Sequence, residues 1–232
     1  MRVAIHQPQY LPWLPYFDKA DACDLFVYLD NVQYQKNGVQ NRNQIKTSQG
    51  PLWLTVPVHA QLGQTFSEVS LGDKKWPRKH LQTLAQSYSQ AAHRSLLAEF
   101  SAPLEKPWEN LGELNIAITE WLFQQLGIHT RRLRASTLNV SGAKEELVLA
   151  ICRAVGATEY LSGQGAREYQ SPDNFKSAGL SLLYHHYEHP EYAQCHRHLG
   201  FLPRLSVLDL LLNTGPEAGP ILKQGRRAPE PA

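Results

Sequence analysis

With 232 residues, 42% apolar and 19% charged, the chain is long enough to bury a sizeable core and too apolar to remain unfolded. Its 23 basic and 21 acidic residues leave a net charge of +2, which gives no electrostatic case for nucleic acid as the main partner. No apolar run approaches the roughly 20 residues that span a bilayer, and the start, Met1-Arg2-Val3-Ala4-Ile5-His6, turns polar too soon for a secretory signal. A cytoplasmic chain without a membrane span is therefore expected. Cys23, Cys152 and Cys195 are odd in number and lack metal-ligand spacing, so they read as reduced thiols.

Val3-Ala4-Ile5 is a short apolar run with β-branched residues, ending in polar His6. Pro8, Pro12 and Pro15 then forbid a regular strand and hold the residues before them extended. Leu14, Phe17, Ala20 and Ala22 suggest a short helix, and Leu25 to Leu29 a second buried strand with Asp30 at its end. Strand, loop, helix, strand is a βαβ unit, which demands a parallel pair. Ligands of open parallel sheets bind outside the carboxyl ends of the strands, where His6 and Asp30 are expected to sit.

After Asp30 the segment to Lys46 is polar. Val39, Asn41, Asn43 and Ile45 share one strand face; Gln40, Arg42, Gln44 and Lys46 share the other. A turn at Gln49-Gly50 and the run Leu52 to Val58 complete a predicted β-hairpin. Val69 to Leu71 reads as a short strand. From Trp76 to Phe123 the periodicity is helical, broken at Pro103 and Pro107. Arg131 to Thr137 reads as a strand, and Ser141 as the cap of a helix running to Val155. Thr158 to Ser162 is a strand, Pro172 to Ala178 a short helix, and Leu180 to Tyr184 the last strand. Leu205 to Gly215 is helical, with Ser206 as its cap. The prediction is one α/β domain over 1–215, with a largely parallel sheet, helices on both faces, a β-hairpin and a helical insertion at about 75–127. This is a nucleotidyltransferase- or Rossmann-like arrangement. The Pro- and Gly-rich stretch 216–232 reads as a mobile C-terminal tail.

Four constellations carry chemistry. A histidine at a strand end, His6, can bind phosphate or move a proton near neutral pH; the plainer alternative is a loop histidine bonded to a carbonyl. Gln7, Tyr10 and Trp13 follow it and would line a pocket. Asp30 is followed by Tyr34, Lys36, Asn41, Arg42 and Lys46. There the Arg fork and the Lys point charge suit a phosphate or carboxylate, and the amides suit a sugar or nucleotide. A solvated hairpin with ordinary surface charges explains the same residues equally well. Ser162, Gly163 and Gly165 end another strand, with Tyr169 close behind. Two glycines permit close backbone approach to a ligand, although Gly-x-Gly also serves ordinary turns and is neither a dinucleotide fingerprint nor a P-loop. The histidines at 185, 186, 189, 196 and 198 do not match a helical His-Glu-x-x-His spacing. They read as a polar rim, and no metal site is predicted.

These stretches together resemble the WbqC-like protein family. The matching segments are HQPQYLPWLPYFDK at 6–19, DLFVYLDNVQYQK at 24–36, NRNQIKTSQG at 41–50, WLTVPV at 53–58, YLSGQGAREY at 160–169, EHPEYAQ at 188–194 and LSVLDLLLNTGPEA at 205–218. Pro15 stands where the family more often has Gly, and Asn31 where a second Asp is common. The resemblance implies a place in bacterial surface-polysaccharide and O-antigen biosynthesis. A weaker likeness, at the level of fold, is to nucleotidyltransferase-like and acyl-adenylate-forming enzymes. Their first loop typically reads His-x-Gly-His, whereas this chain has His6 with Gln9 and Tyr10 near the second position. The cofactor stays open, with ATP or another nucleotide as the candidates.

The expected function is a transferase or ligase that joins an acyl or aminoacyl group to a nucleotide-activated amino sugar. His6 and Asp30 are its expected catalytic residues, and Arg42 and Lys46 its anion site. Its partner is a small molecule such as a nucleotide-sugar, and the oligomeric state is left open. The rival expectation is a non-catalytic ligand-binding or scaffold protein of the same pathway. Convergence of His6, Asp30, Arg42 and Lys46 on one deep pocket would separate the two.

Overall fold

The computed structural model describes residues 1–36 and 38–232. In chain order the elements are β1 (Arg2–His6), α1 (Leu14–Asp21), β2 (Leu25–Tyr28), β3 (Arg42–Thr47), β4 (Gly50–Thr55), β5 (Val58–His59) and β6 (Ser70–Leu71). Three helices follow, α2 (Trp76–Ser87), α3 (Leu96–Glu105) and α4 (Leu111–Gln125). Then come β7 (Arg131–Arg134), α5 (Lys144–Ala154), β8 (Glu159–Ser162), α6 (Pro172–Ser177), β9 (Ser181–Tyr184), α7 (Val207–Thr214), α8 (Ala218–Gln224) and β10 (Glu230–Pro231).

One sheet has the order β10-β9-β8-β1-β2-β7, parallel throughout except for β10. The five predicted strands all belong to it. Their side chains alternate between two buried layers, which is why these strands read as continuous apolar runs rather than alternating ones. Val3, Ile5, Leu25 and Val27 pack with Leu147 and Ile151 of α5 and Phe175 of α6. Ala4, Phe26 and Tyr28 face the larger layer, with Phe17 of α1, Leu114 and Ile118 of α4, Leu208 and Leu211 of α7, and Leu222 of α8. The β3–β4 hairpin and the β5–β6 pair form separate two-stranded sheets. No helix among the described residues is long and apolar enough to cross a membrane.

Five local expectations differ from what is observed. The strand expected over Leu52 to Val58 stops at Thr55, and Val58 pairs instead with Leu71 in the separate β5–β6 sheet. The strand expected over 131–137 stops at Arg134, because residues 135–137 turn into a 3₁₀ helix tied to Asp30. Ser141 does not cap α5: the N-cap is Ala143, reached through left-handed Gly142 and followed by left-handed Lys144. Pro103 lies inside α3 instead of ending it. The stretch 216–232 forms a helix and an edge strand paired antiparallel with β9. Its Leu222 is fully buried in the core, which anchors a segment whose composition suggested a free end.

Candidate functional site

From β1 the chain adds strands outward on one side (β2, β7) and later on the other (β8, β9, β10). The β1/β8 boundary is thus a topological switch point, where open parallel sheets leave a crevice at their carboxyl ends. A cleft of about 760 Å³ opens there. The ends of β1, β8 and β9 supply His6, Ser162 and His185, and α1 supplies Tyr16 and Lys19. Trp13, Tyr160, Tyr169 and Tyr187 give it aromatic walls.

His6 points to the α1 side, since Ile5 points to the other face of the pleat. Its ring lies edge-on to Tyr16, with centroids 4.7 Å apart. Nδ1 is 3.1 Å from the Gln7 carbonyl and must donate to it, so the neutral ring carries its lone pair on Nε2. Burial, helped by the charge of Lys19, holds the His6 pKa well below the ordinary histidine value. The neutral form therefore prevails at neutral pH.

Tyr16 and Lys19 are three residues apart and share one face of α1. Lys19 is only 4% exposed. Its ammonium donates to the Ile5 carbonyl at 3.3 Å, and burial pushes its pKa down to about 8. Asp18, the preceding residue, is fully buried and points to β9 and the C-terminal segment. Its Oδ2 accepts from His185 Nε2 at 2.8 Å, which leaves Nδ1 of His185 as the ring nitrogen without a hydrogen-bond partner among the described residues. Its Oδ1 accepts from Arg226 Nε at 2.8 Å, and Arg226 also reaches Asp21 at 2.6 Å. The order Arg226–Asp18–His185 orients the imidazole through one nitrogen, the arrangement by which a carboxylate positions an acid–base histidine in enzymes.

The 3₁₀ helix over 164–169 lies above β8. Gln164 Nε2 donates to the His185 carbonyl at 3.2 Å. A Cβ built at Gly163 or Gly165 meets no atom within 4 Å, so neither glycine is required by crowding.

Seven expected site residues meet in the cleft: His6, Gln7, Trp13, Ser162, Gly163, Gly165 and Tyr169. The others lie elsewhere. Asp30 accepts from the Ser136 backbone N–H at 2.9 Å and its hydroxyl at 2.7 Å, joining the end of β2 to the turn after β7. Tyr10 is buried, with its hydroxyl 2.8 Å from His80 Nδ1. Tyr34 packs edge-on to Phe66, and Lys36 is exposed. Asn41 donates to the Val56 carbonyl at 2.9 Å. Arg42 stacks over Trp53 on the hairpin at 4.7 Å. Lys46 has no exposed surface and donates to Gln194 Oε1 at 3.0 Å and to the Gly200 carbonyl. Of the four residues whose convergence was to decide between enzyme and binding protein, only His6 lines the cleft.

Sequence reasoning missed Asp18, Lys19 and Arg226, and read His185 only as part of a rim. The signal for Lys19 was present: Tyr16 and Lys19 keep i, i+3 spacing on a helix that directly follows the His6 loop. No local pattern announces Asp18–His185–Arg226, because the partners are 167 and 208 residues apart. Among the described residues no group of three or more His, Cys, Asp and Glu could hold a metal.

The chain is 36% identical over 231 residues to an uncharacterized protein, Rv1507c, of Mycobacterium tuberculosis, covering 97% of this chain and 99% of that one. No solved structure matches the chain. The family model of the WbqC-like proteins matches residues 7–221, which take in α1, every parallel strand of the sheet except β1, and Lys19 and His185 of the cleft. The chain belongs to the WbqC-like protein family.

Proposed function

We propose that this protein is a cytoplasmic enzyme of bacterial surface-polysaccharide (O-antigen) biosynthesis that joins an acyl or aminoacyl group to the amine of a nucleotide-activated amino sugar. The observation that carries the reading is the meeting of His6, Lys19 and His185 in one cleft at the strand ends, with Asp18 bonded to His185 from behind. In the reaction the sugar amine attacks the acyl carbonyl carbon, a C–N bond forms, and the leaving group departs with the electron pair. The amine must lose a proton as that bond forms. Nδ1 of His185 accepts it, and Asp18 stabilises the resulting imidazolium. His6, kept neutral, offers a second acceptor at Nε2. The aromatic walls suit stacking of a sugar face or a base.

The test begins with a thermal-shift screen of nucleotides, ATP among them, and nucleotide-linked amino sugars, followed by a turnover assay on the hits. His185→Gln should saturate with the same ligand and lose roughly 10²–10⁴-fold in turnover. Undiminished turnover would remove His185 from the mechanism. The second reading, a non-catalytic binding protein of the same pathway, is favoured by the placement of Asp30, Arg42 and Lys46 outside the cleft. It predicts ligand binding without turnover by the wild type.

A further inference from the structure

Among the described residues two lysines are buried, Lys19 and Lys46, and the two are treated differently. Lys46 is held by the Gln194 side-chain oxygen and the Gly200 carbonyl, and the same Gln194 is bonded at 2.7 Å to the carboxylate of Asp209. Its charge is absorbed by a closed polar network. Lys19 has one carbonyl at 3.3 Å, and no carboxylate of the described residues lies within ion-pair range of its ammonium. The acids beside it on α1 are already engaged, Asp18 by His185 and Arg226, Asp21 by Arg226 and Lys223. Among the described residues lining the cleft there is no Asp or Glu. Buried charges are paired, since an unpaired one is costly to desolvate. An ammonium has three donors, and the Ile5 carbonyl uses one.

We propose that the cleft takes its ligand through an anionic group, a carboxylate or a phosphate, that sits on the Lys19 ammonium and completes a pair the protein leaves open. This rests on the cleft being the ligand site and adds the charge class of what enters it. The other titratable groups lining the cleft are His6 and His185, whose N–H groups are spent on the Gln7 carbonyl and on Asp18, and the phenols of Tyr16, Tyr160, Tyr169 and Tyr187; the Cys23 thiol, four residues after Lys19, is pushed up to about 12 by burial and stays protonated. The anion-binding role expected of Arg42 and Lys46 thereby passes to a residue on α1.

The experiment is calorimetry with inorganic phosphate and, separately, acetate, at tens of millimolar. It is run at a pH just above 8 in buffers of different ionisation enthalpy. The proteins are wild type, Lys19→Met, Lys19→Arg and Gly163→Trp, the last adding bulk to the cleft lining at a position where a Cβ meets no atom. Wild type should bind at least one anion and take up a proton as it does, because a bound anion raises the Lys19 pKa from about 8. Lys19→Met should bind roughly ten- to a hundredfold more weakly, without proton uptake. Lys19→Arg should bind without proton uptake, since a guanidinium does not titrate there; it decides the matter if Lys19→Met fails to fold. Binding of phosphate alone assigns the charge to a phosphate of the ligand, and of acetate alone to a carboxylate. No binding of either anion by wild type overturns the proposal. If Gly163→Trp abolishes binding and Lys19→Met and Lys19→Arg both match wild type, proton uptake included, Lys19 is excluded and the cleft stands. Equal binding by all four proteins overturns both the Lys19 assignment and the cleft as the ligand site.

Discussion

Lys19 gives a signature in stability as well as in binding. Its folded pKa, about 8, lies below the ordinary value its unfolded counterpart keeps. Between these two values the unfolded chain binds more protons than the folded one, so stability from this group rises with pH across the window. Below pH 8 both states are protonated and the cost of the buried charge is felt in full, on the order of 3 kcal/mol. Lys19→Met should therefore be more stable than wild type at neutral pH, and the advantage should shrink as pH climbs toward 10. Urea unfolding of both proteins at several pH values measures the difference directly, which cancels other groups titrating in the same range. A constant difference, or a less stable variant throughout, would mean that Lys19 is paired in the free protein.

At the scale of elements, α1 and the C-terminal segment depend on one another. Arg226 follows α8, and β10 closes the edge of the sheet against β9. Gly225 is fitted closely into this arrangement: a Cβ there would lie 2.4 Å from the Glu188 carbonyl oxygen and 2.5 Å from the Tyr187 ring. Arg226→Met should cost about 1–3 kcal/mol, since it strips a charged partner from a fully buried carboxylate but is itself one-third exposed. Denaturant unfolding reads the stability, and kinetics should show turnover falling more than affinity, because His185 loses the support of its orienting acid. The parallel strands were legible in the sequence because both their faces are buried, so each is an apolar run between polar ends. His6 and the Gly163–Gly165 turn were legible because strand ends fix where a cleft must lie. The hairpin was read correctly as a hairpin, but its charges were assigned by composition. Period-2 alternation puts Lys46 with Arg42 on a polar face and cannot reveal that Gln194, 148 residues later, covers it. The C-terminal segment misled for a related reason: Pro and Gly content describes local stiffness and says nothing about Leu222 entering a core made by other elements.

Across the whole molecule, a second polar centre joins parts of the chain that share no sheet. Asp209 on α7 accepts from Tyr88 at 2.8 Å, Tyr192 at 2.9 Å and Gln194 at 2.7 Å, and Gln194 passes the connection to Lys46 on the hairpin. Lys46→Met should destabilise by about 3–5 kcal/mol, the scale of breaking a buried ionic network on one side. Affinity for a cleft ligand should be unaltered, in contrast to the loss an anion-binding Lys46 would produce. Calorimetry alongside thermal unfolding separates the two. The split order of the sheet also has a consequence for how the protein is born. Translation delivers β1, α1, β2 and β7 first, with His6 and Lys19 among them, while β8 and β9, which complete the other half of the cleft, follow only after about 150 residues. Arg226 leaves the ribosome 208 residues behind the aspartate it clamps. A nascent chain thus carries the lysine and the first histidine before the strands that hold the second, so the cleft is assembled only once β8 and β9 have been made.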